Sequence, residues 1–363
     1  MTNVQKLADH GQAIWLDYIR RSFIKAGDLQ ELIDKGVRGV TSNPSIFEKA
    51  IAGSDDYDAD IQRLVGEGKS VTEIYEHLAV ADIQSAADLL RPLYDETEGR
   101  DGFVSLEVSP TLAHNTEGTI ADAKRLFATV DRPNLMIKIP ATPEGIPAIE
   151  AVIAAGINVN VTLIFSLAQY EATTGAYIAG LETLLLAGGS LVGTASVASL
   201  FVSRVDAAVD ADLAKLGLSD LRGHAAVDNA KLAYVRFREI FAGERWEKLA
   251  RAGARVQRPL WASTGTKDPD YADTKYVDEL IGADTVNTVP PATLDAFMEH
   301  GNVALSVETD LVGARERTDT LSELGVDLEA ITAKLMDDGV ASFAKAFDSL
   351  LRSVEDECAR LSA

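Results

Sequence analysis

Eight short apolar runs, separated by helical stretches, constrain this chain more than any other feature. They are Ala13 to Ile19, Val37 to Asn43, Phe103 to Ser109, Leu135 to Ala141, Ile157 to Phe165, Ser190 to Ser196, Pro259 to Gly265 and Asp284 to Pro290. Helical patterns lie between them. Pro143 to Ala155 ends at Gly156, Leu167 to Ala187 ends at Gly188, and Asn229 to Arg251 repeats Leu232, Val235, Phe237 and Ile240 near helical spacing. Strands alternating with helices pair in parallel, and eight of them predict a closed (β/α)8 barrel, the TIM-type α/β fold. The 59 residues between Asn43 and Phe103 carry two helices, about Ile46 to Glu67 and Val71 to Leu93, where one would close the unit. A helical extension, 291–363, follows the last strand. With no Pro-, Gly- or Ser-rich linker and no internal repeat, one barrel domain over 1–363 is expected, its strands spanning about 13–290.

A strand buried on both faces reads as a continuous apolar run, yet several of these alternate. Val159, Val161 and Leu163 oppose Asn158, Asn160 and Thr162; Val104, Leu106 and Val108 oppose Ser105, Glu107 and Ser109. Leu135, Ile137 and Ile139 oppose Lys138, and Ile14, Leu16 and Tyr18 oppose Trp15 and Asp17. In a barrel the apolar side packs on the helices, so Asp17, Glu107, Lys138, Asn160 and Thr162 face the axis near the C-terminal mouth, where barrel active sites assemble. Lys138 is the single charge between Leu135 and Pro140. Burying an ammonium costs more than its methylene stem returns, and desolvating a lysine favours the neutral amine that attacks carbonyls. A strand lysine whose head reaches solvent or pairs with a carboxylate is the structural alternative. Convergence of a lysine, two carboxylates, an amide and a hydroxyl on one mouth points instead to catalysis.

Composition narrows the partners. The net charge of −22 argues against nucleic acid and against an anionic membrane surface, and obliges any anionic substrate to find a local basic pocket. A single cysteine, Cys358, excludes an intramolecular disulfide. The N-terminal residues have no apolar core and no apolar run approaches a membrane span, so a cytoplasmic protein is expected. The five histidines never fall at metal-ligand spacing. Gly188 to Gly193 lacks the dinucleotide spacing and Thr264 to Lys267 lacks the first glycine of a phosphate loop, so neither a metal nor another cofactor is expected. The two extra helical regions leave a homo-oligomer open.

Imine chemistry needs a neutral amine, a proton shuttle for carbinolamine dehydration and a separate base for carbon–carbon cleavage, and two carboxylates in different surroundings divide the last two roles. The segments Trp15-Leu-Asp17, Thr41-Ser-Asn-Pro-Ser45, Ser105-Leu-Glu-Val-Ser109, Met136 to Thr142, Ile157 to Ser166 and Ser199-Leu-Phe-Val-Ser-Arg204 carry these groups in order. They resemble the successive motifs of the transaldolases, in the longer bacterial-type branch of that family.

The resemblance implies a lysine-dependent transfer of a dihydroxyacetone unit in the non-oxidative pentose phosphate pathway. The donor is a ketose phosphate (sedoheptulose 7-phosphate or fructose 6-phosphate) and the acceptor an aldose phosphate (glyceraldehyde 3-phosphate or erythrose 4-phosphate). Lys138 matches the Schiff-base lysine, Glu107 the carboxylate that moves protons through a water held by Thr162, and Asp17 the base for bond cleavage. Asn43, Asn160 and Ser199 match positions holding the three-carbon unit, and Arg204 matches a phosphate-binding arginine. Each has a structural alternative: Asn43 as a turn residue before Pro44, Thr162 as a strand former, Ser199 as a small loop residue, Arg204 on a helix surface, Asp17 paired with Arg20 or Arg21. The better-known branch carries Ser-x-Arg after the seventh strand. Here Ser263-Thr-Gly265 keeps the serine and lacks the arginine, and Lys267 is the nearest replacement for its charge, or else an exposed loop lysine. A related class I aldolase that releases free dihydroxyacetone, or a non-catalytic sugar-phosphate-binding barrel, is the alternative reading.

Overall fold

The computed structural model describes residues 1–52 and 54–362. Eight parallel strands close into a barrel in sequence order: β1 (Gln12–Leu16), β2 (Gly39–Thr41), β3 (Phe103–Glu107), β4 (Leu135–Pro140), β5 (Val159–Ile164), β6 (Ser196–Phe201), β7 (Arg258–Ala262) and β8 (Thr285–Val289). The predicted alternation is realised as an apolar outer face under the helices and a mixed inner face. One register row carries Glu107, Lys138 and Asn160 side by side across β3, β4 and β5.

Seven strands fall within the predicted runs or within one residue of them. The sixth does not. Ser190 to Ala195 is loop, with Gly188 and Gly193 at φ +79° and +90°, and the strand begins at Ser196, where that run ends. Glycines in the left-handed region end extended structure, and Leu191 and Val192 alone could not outweigh them. The helix predicted over Asn229 to Arg251 is two, Ala225–Ile240 and Glu244–Arg251, because the chain turns extended at Gly243. The one predicted over Ile46 to Glu67 is also two, Pro44–Ile51 and Asp58–Gly66. Ala52 leaves helical geometry between them, and Ser54 caps a short 3-10 turn.

The interior is plugged below the mouth. Trp15, fully buried on the face that carries Asp17, lies between Phe103, 6.1 Å away ring to ring, and the Arg258 guanidinium, 6.0 Å from its ring. Gly39 makes room for it: a Cβ there would stand 2.6 Å from the indole.

The long C-terminal helix, Leu328–Ser362, packs on the three helices of the 44–102 insertion. Ser349 Oγ donates to Glu48 Oε1 at 2.6 Å and Arg360 pairs with Asp58 at 2.6 Å. Leu350 and Val354 join the same apolar core as the barrel strands. Among the described residues, no helix is long and apolar enough to cross a membrane.

Gly39→Ala forces a methyl into the indole, an overpacking that costs about 1–3 kcal/mol. A lower urea midpoint is expected, and an unchanged midpoint would show that the Trp15 ring yields freely.

Candidate active site

Lys138 is held inward because β4 alternates, and only 6% of it is exposed. Its Nζ donates to the Ser42 carbonyl at 3.0 Å and stands 3.8 Å from Glu107 Oε2, beyond direct hydrogen-bond range. Burial pushes the Glu107 carboxyl up to about 7; the Lys138 charge opposes that shift and the Asp17 carboxylate adds to it. Glu107 is therefore poised to gain or lose a proton near neutrality.

Asp17, one residue past β1, accepts a hydrogen bond from Thr41 Oγ1 at 2.7 Å. The Thr41 hydroxyl proton is thereby committed, so Thr288, 2.9 Å from it, donates in turn. Arg20 pairs with Asp56, and Arg21 with Asp60 and Asp82, so neither neutralises Asp17.

Asn160 is fixed at both ends: its Nδ2 donates to Ser105 Oγ at 3.0 Å and its Oδ1 accepts from Ser199 Oγ at 2.7 Å. Ser199 lies within β6 and not in a loop, a consequence of the shifted sixth strand. Asn43 does cap the helix after it, accepting from the Ile46 N–H at 3.0 Å, and its amide also faces the cavity. Thr162 is buried and its Oγ1 has no partner among the described residues; the same holds for Glu107 Oε2. One residue on, Leu163 takes φ +59° and the β5–β6 register shifts there, turning the strand end.

Two cations face the cavity without a carboxylate partner among the described residues. Arg204, near the start of the helix Ser203–Leu216, is half-buried with its guanidinium 5.2 Å over the Phe201 ring, and burial pushes its pKa down. It is not on an open helix surface. Lys267 is exposed on the loop after β7, beyond Ser263, which bonds Ser203 hydroxyl to hydroxyl at 2.9 Å.

Asp17, Asn43, Lys138, Asn160, Thr162, Ser199, Arg204, Ser263 and Lys267 thus share one cavity of about 170 Å³. Glu107 stands apart. It lines a larger cavity of about 560 Å³ between the helices Val71–Glu96 and Thr116–Val130, walled by Phe47, Leu112, Leu126 and Phe347, and reaches Lys138 from that side. It is the last residue of β3.

A scan against family descriptions matches residues 14–354 to transaldolase/fructose-6-phosphate aldolase. This chain belongs to that family. Similar curated proteins include Transaldolase 1 of Streptomyces avermitilis, 52% identical over 97% of this chain and 94% of its own length. Transaldolase of Thermobifida fusca is 50% identical over 98% of each chain, and Transaldolase 2 of Nostoc punctiforme 47% over 98% of each.

Sequence reasoning gave no role to Thr41, Ser42, Ser105, Thr288 or Phe343. Ser105 alternates with Glu107, and Thr41 and Ser42 precede Asn43, so period and neighbourhood carried a signal for those three. Phe343, whose ring lies 6.0 Å from Lys138 Nζ, comes from the C-terminal helix and reads locally as an ordinary core position.

The raised Glu107 carboxyl makes a stability prediction. A folded pKa above the unfolded 4.5 favours the protonated form, so its stabilising contribution is full below that value and lost as pH rises through about 7. Glu107→Gln, neutral throughout, should gain on the wild type between about pH 5 and about pH 8, by roughly 2–4 °C in thermal midpoint. A constant difference across that range would mean that Glu107 titrates normally.

Proposed function

We propose that the chain is a transaldolase that carries a dihydroxyacetone unit on Lys138 from a ketose phosphate to an aldose phosphate. The observation carrying this reading is the buried Lys138 amine beside a carboxyl raised to about 7, in a cavity whose two free cations suit a phosphorylated sugar.

Lys138 Nζ attacks the C2 carbonyl of the donor to give a carbinolamine. Loss of its hydroxyl as water needs an acid, and re-addition needs a base; a Glu107 carboxyl near 7 serves both ways. The unpartnered Thr162 Oγ1 and Glu107 Oε2 suit the two ends of a bridging water, which carries the proton across the gap. In the resulting imine the protonated nitrogen draws electrons from the C3–C4 bond. Asp17, oriented by Thr41, takes the C4 hydroxyl proton as that bond breaks, releasing an aldose phosphate and leaving the dihydroxyacetone enamine on Lys138. Asn160, locked by Ser105 and Ser199, keeps a second N–H and a lone pair for the hydroxyls of that unit, and Asn43 and Ser199 flank it. The enamine carbon then attacks the acceptor aldehyde, and the same steps run in reverse. Arg204 and Lys267 hold the phosphate, the first in a half-buried setting and the second as an exposed point charge.

Borohydride reduction in the presence of fructose 6-phosphate, followed by peptide mass spectrometry, should place a three-carbon label on Lys138. A label on another lysine, or none, sinks the mechanism. Sustained turnover of fructose 6-phosphate should require erythrose 4-phosphate; turnover indifferent to the acceptor identifies an aldolase.

The phosphate assignment is tested by Michaelis constants. Arg204→Ala removes a charged hydrogen-bond donor worth about 1.5–3 kcal/mol, so KM for the phosphorylated donor should rise roughly 10- to 100-fold. Lys267→Ala, at an exposed site, should raise it about 2- to 5-fold. If Lys267→Ala leaves KM unchanged, that lysine is only a loop residue.

A further inference from the structure

The cavity around Lys138 is lined by residues of the strands and the segments that follow them, with one exception among the described residues: Phe343. This side chain belongs to the C-terminal helix, is 9% exposed, and sets its ring centroid 6.0 Å from Lys138 Nζ. The helix seats it from both sides. One turn earlier, Gly339 lets the backbone approach β5 and Arg204, since a Cβ there would stand 3.0 Å from Leu163 Cδ2 and 3.7 Å from Arg204 Nη1. One turn later, Phe347 packs edge-on against Tyr75 at 5.6 Å. Residues four apart lie on one helix face, so Gly339, Phe343 and Phe347 form a single stripe against the mouth. Contacts to Glu48 and Asp58 farther along hold the helix down.

An aromatic ring in this place offers no proton and little to a sugar hydroxyl; what it supplies beside a buried amine is the exclusion of water. Exclusion matters at one point in the proposed cycle. The enamine left on Lys138 has two fates. Its nucleophilic carbon attacks an aldehyde, forming a new carbon–carbon bond. Otherwise that carbon takes a proton, giving the iminium. Water then adds at C2 with loss of a proton, and the carbinolamine collapses to free dihydroxyacetone and the Lys138 amine. The second route consumes one water per turnover and needs no other reactant.

We infer that Phe343 shields the three-carbon enamine on Lys138 from water, and so sets the partition between transfer to an aldose phosphate and hydrolytic release. The inference rests on the Lys138 imine mechanism proposed above. It makes the C-terminal helix part of the reaction's selectivity, although it supplies no catalytic group.

The test compares wild type with Phe343→Ala and Phe343→Leu. Free dihydroxyacetone released from fructose 6-phosphate and sedoheptulose 7-phosphate formed with erythrose 4-phosphate are measured in parallel, together with borohydride labelling of Lys138. Phe343→Ala should raise the ratio of release to transfer on the order of tenfold, with Phe343→Leu between it and wild type, and the label retained in all three. A ratio equal to wild type in Phe343→Ala, or release and transfer falling in proportion, overturns the shield and leaves a packing role. Where Phe343→Ala is too unstable to purify, the Leu variant decides: at least a twofold rise in the ratio supports the shield and no rise overturns it. Absence of the Lys138 label in wild type strikes the mechanism beneath the inference, and is thereby distinct from failure of the inference itself.

Discussion

Everything at the mouth of this barrel depends on holding the Lys138 ammonium out of water. The register row that sets Glu107, Lys138 and Asn160 abreast meets part of that desolvation with a carboxyl on one side, and the Ser42 carbonyl accepts one of its N–H groups. The compensation is incomplete. Glu107 stands 3.8 Å away and is itself driven up to about 7 by the same burial. A tighter ion pair would be a better structural device and a poorer proton exchanger, because a carboxylate bonded directly to an ammonium keeps its pKa low.

The outer elements read as supports for this arrangement. Trp15, admitted by Gly39, fills the barrel beneath the site, so the inward polar groups stand on a packed floor. Thr41, itself bonded to Thr288, holds Asp17, and Ser105 and Ser199 hold Asn160, so these two groups at the centre are oriented by hydroxyls from other strands. The helices of the 44–102 insertion act at longer range: they are the platform on which the C-terminal helix lies, and that helix brings Phe343 over Lys138.

The sequence disclosed most where a short period was at work. Two-residue alternation found Asp17, Glu107, Lys138, Asn160 and Thr162, because an inward polar residue in a buried strand breaks an otherwise apolar pattern. It failed at β6, where Ser, Ala and Val offer little contrast between faces and the preceding glycines look like part of the run. It was silent on features that depend on distant packing. The burial of Arg204 is set by Phe201 and the C-terminal helix, and helical periodicity near residue 204 points equally well to solvent. That Glu107 lines a cavity different from its partners, walled by the helices Val71–Glu96 and Thr116–Val130, is something period alone cannot resolve. Phe343 is separated from Lys138 by more than half the chain, and a single aromatic at helical spacing carries no mark of its destination.

Leu163 and Ser263 both hold positive φ without being glycine, at +59° and +56°. Left-handed geometry costs an L-residue with a Cβ roughly 1–2 kcal/mol. Both lie at the mouth: Leu163 follows Thr162, and Ser263 opens the loop leading to Lys267. An engineer seeking a hardier enzyme would turn to Ser263, where glycine or asparagine releases the strain; at Leu163 the loss of a fully buried side chain outweighs the gain. Here that release loosens the backbone bend from which the Lys267 loop departs. Stability and the geometry of the mouth are therefore set against each other at Ser263, and hardening this barrel is better begun on its far end, away from the mouth.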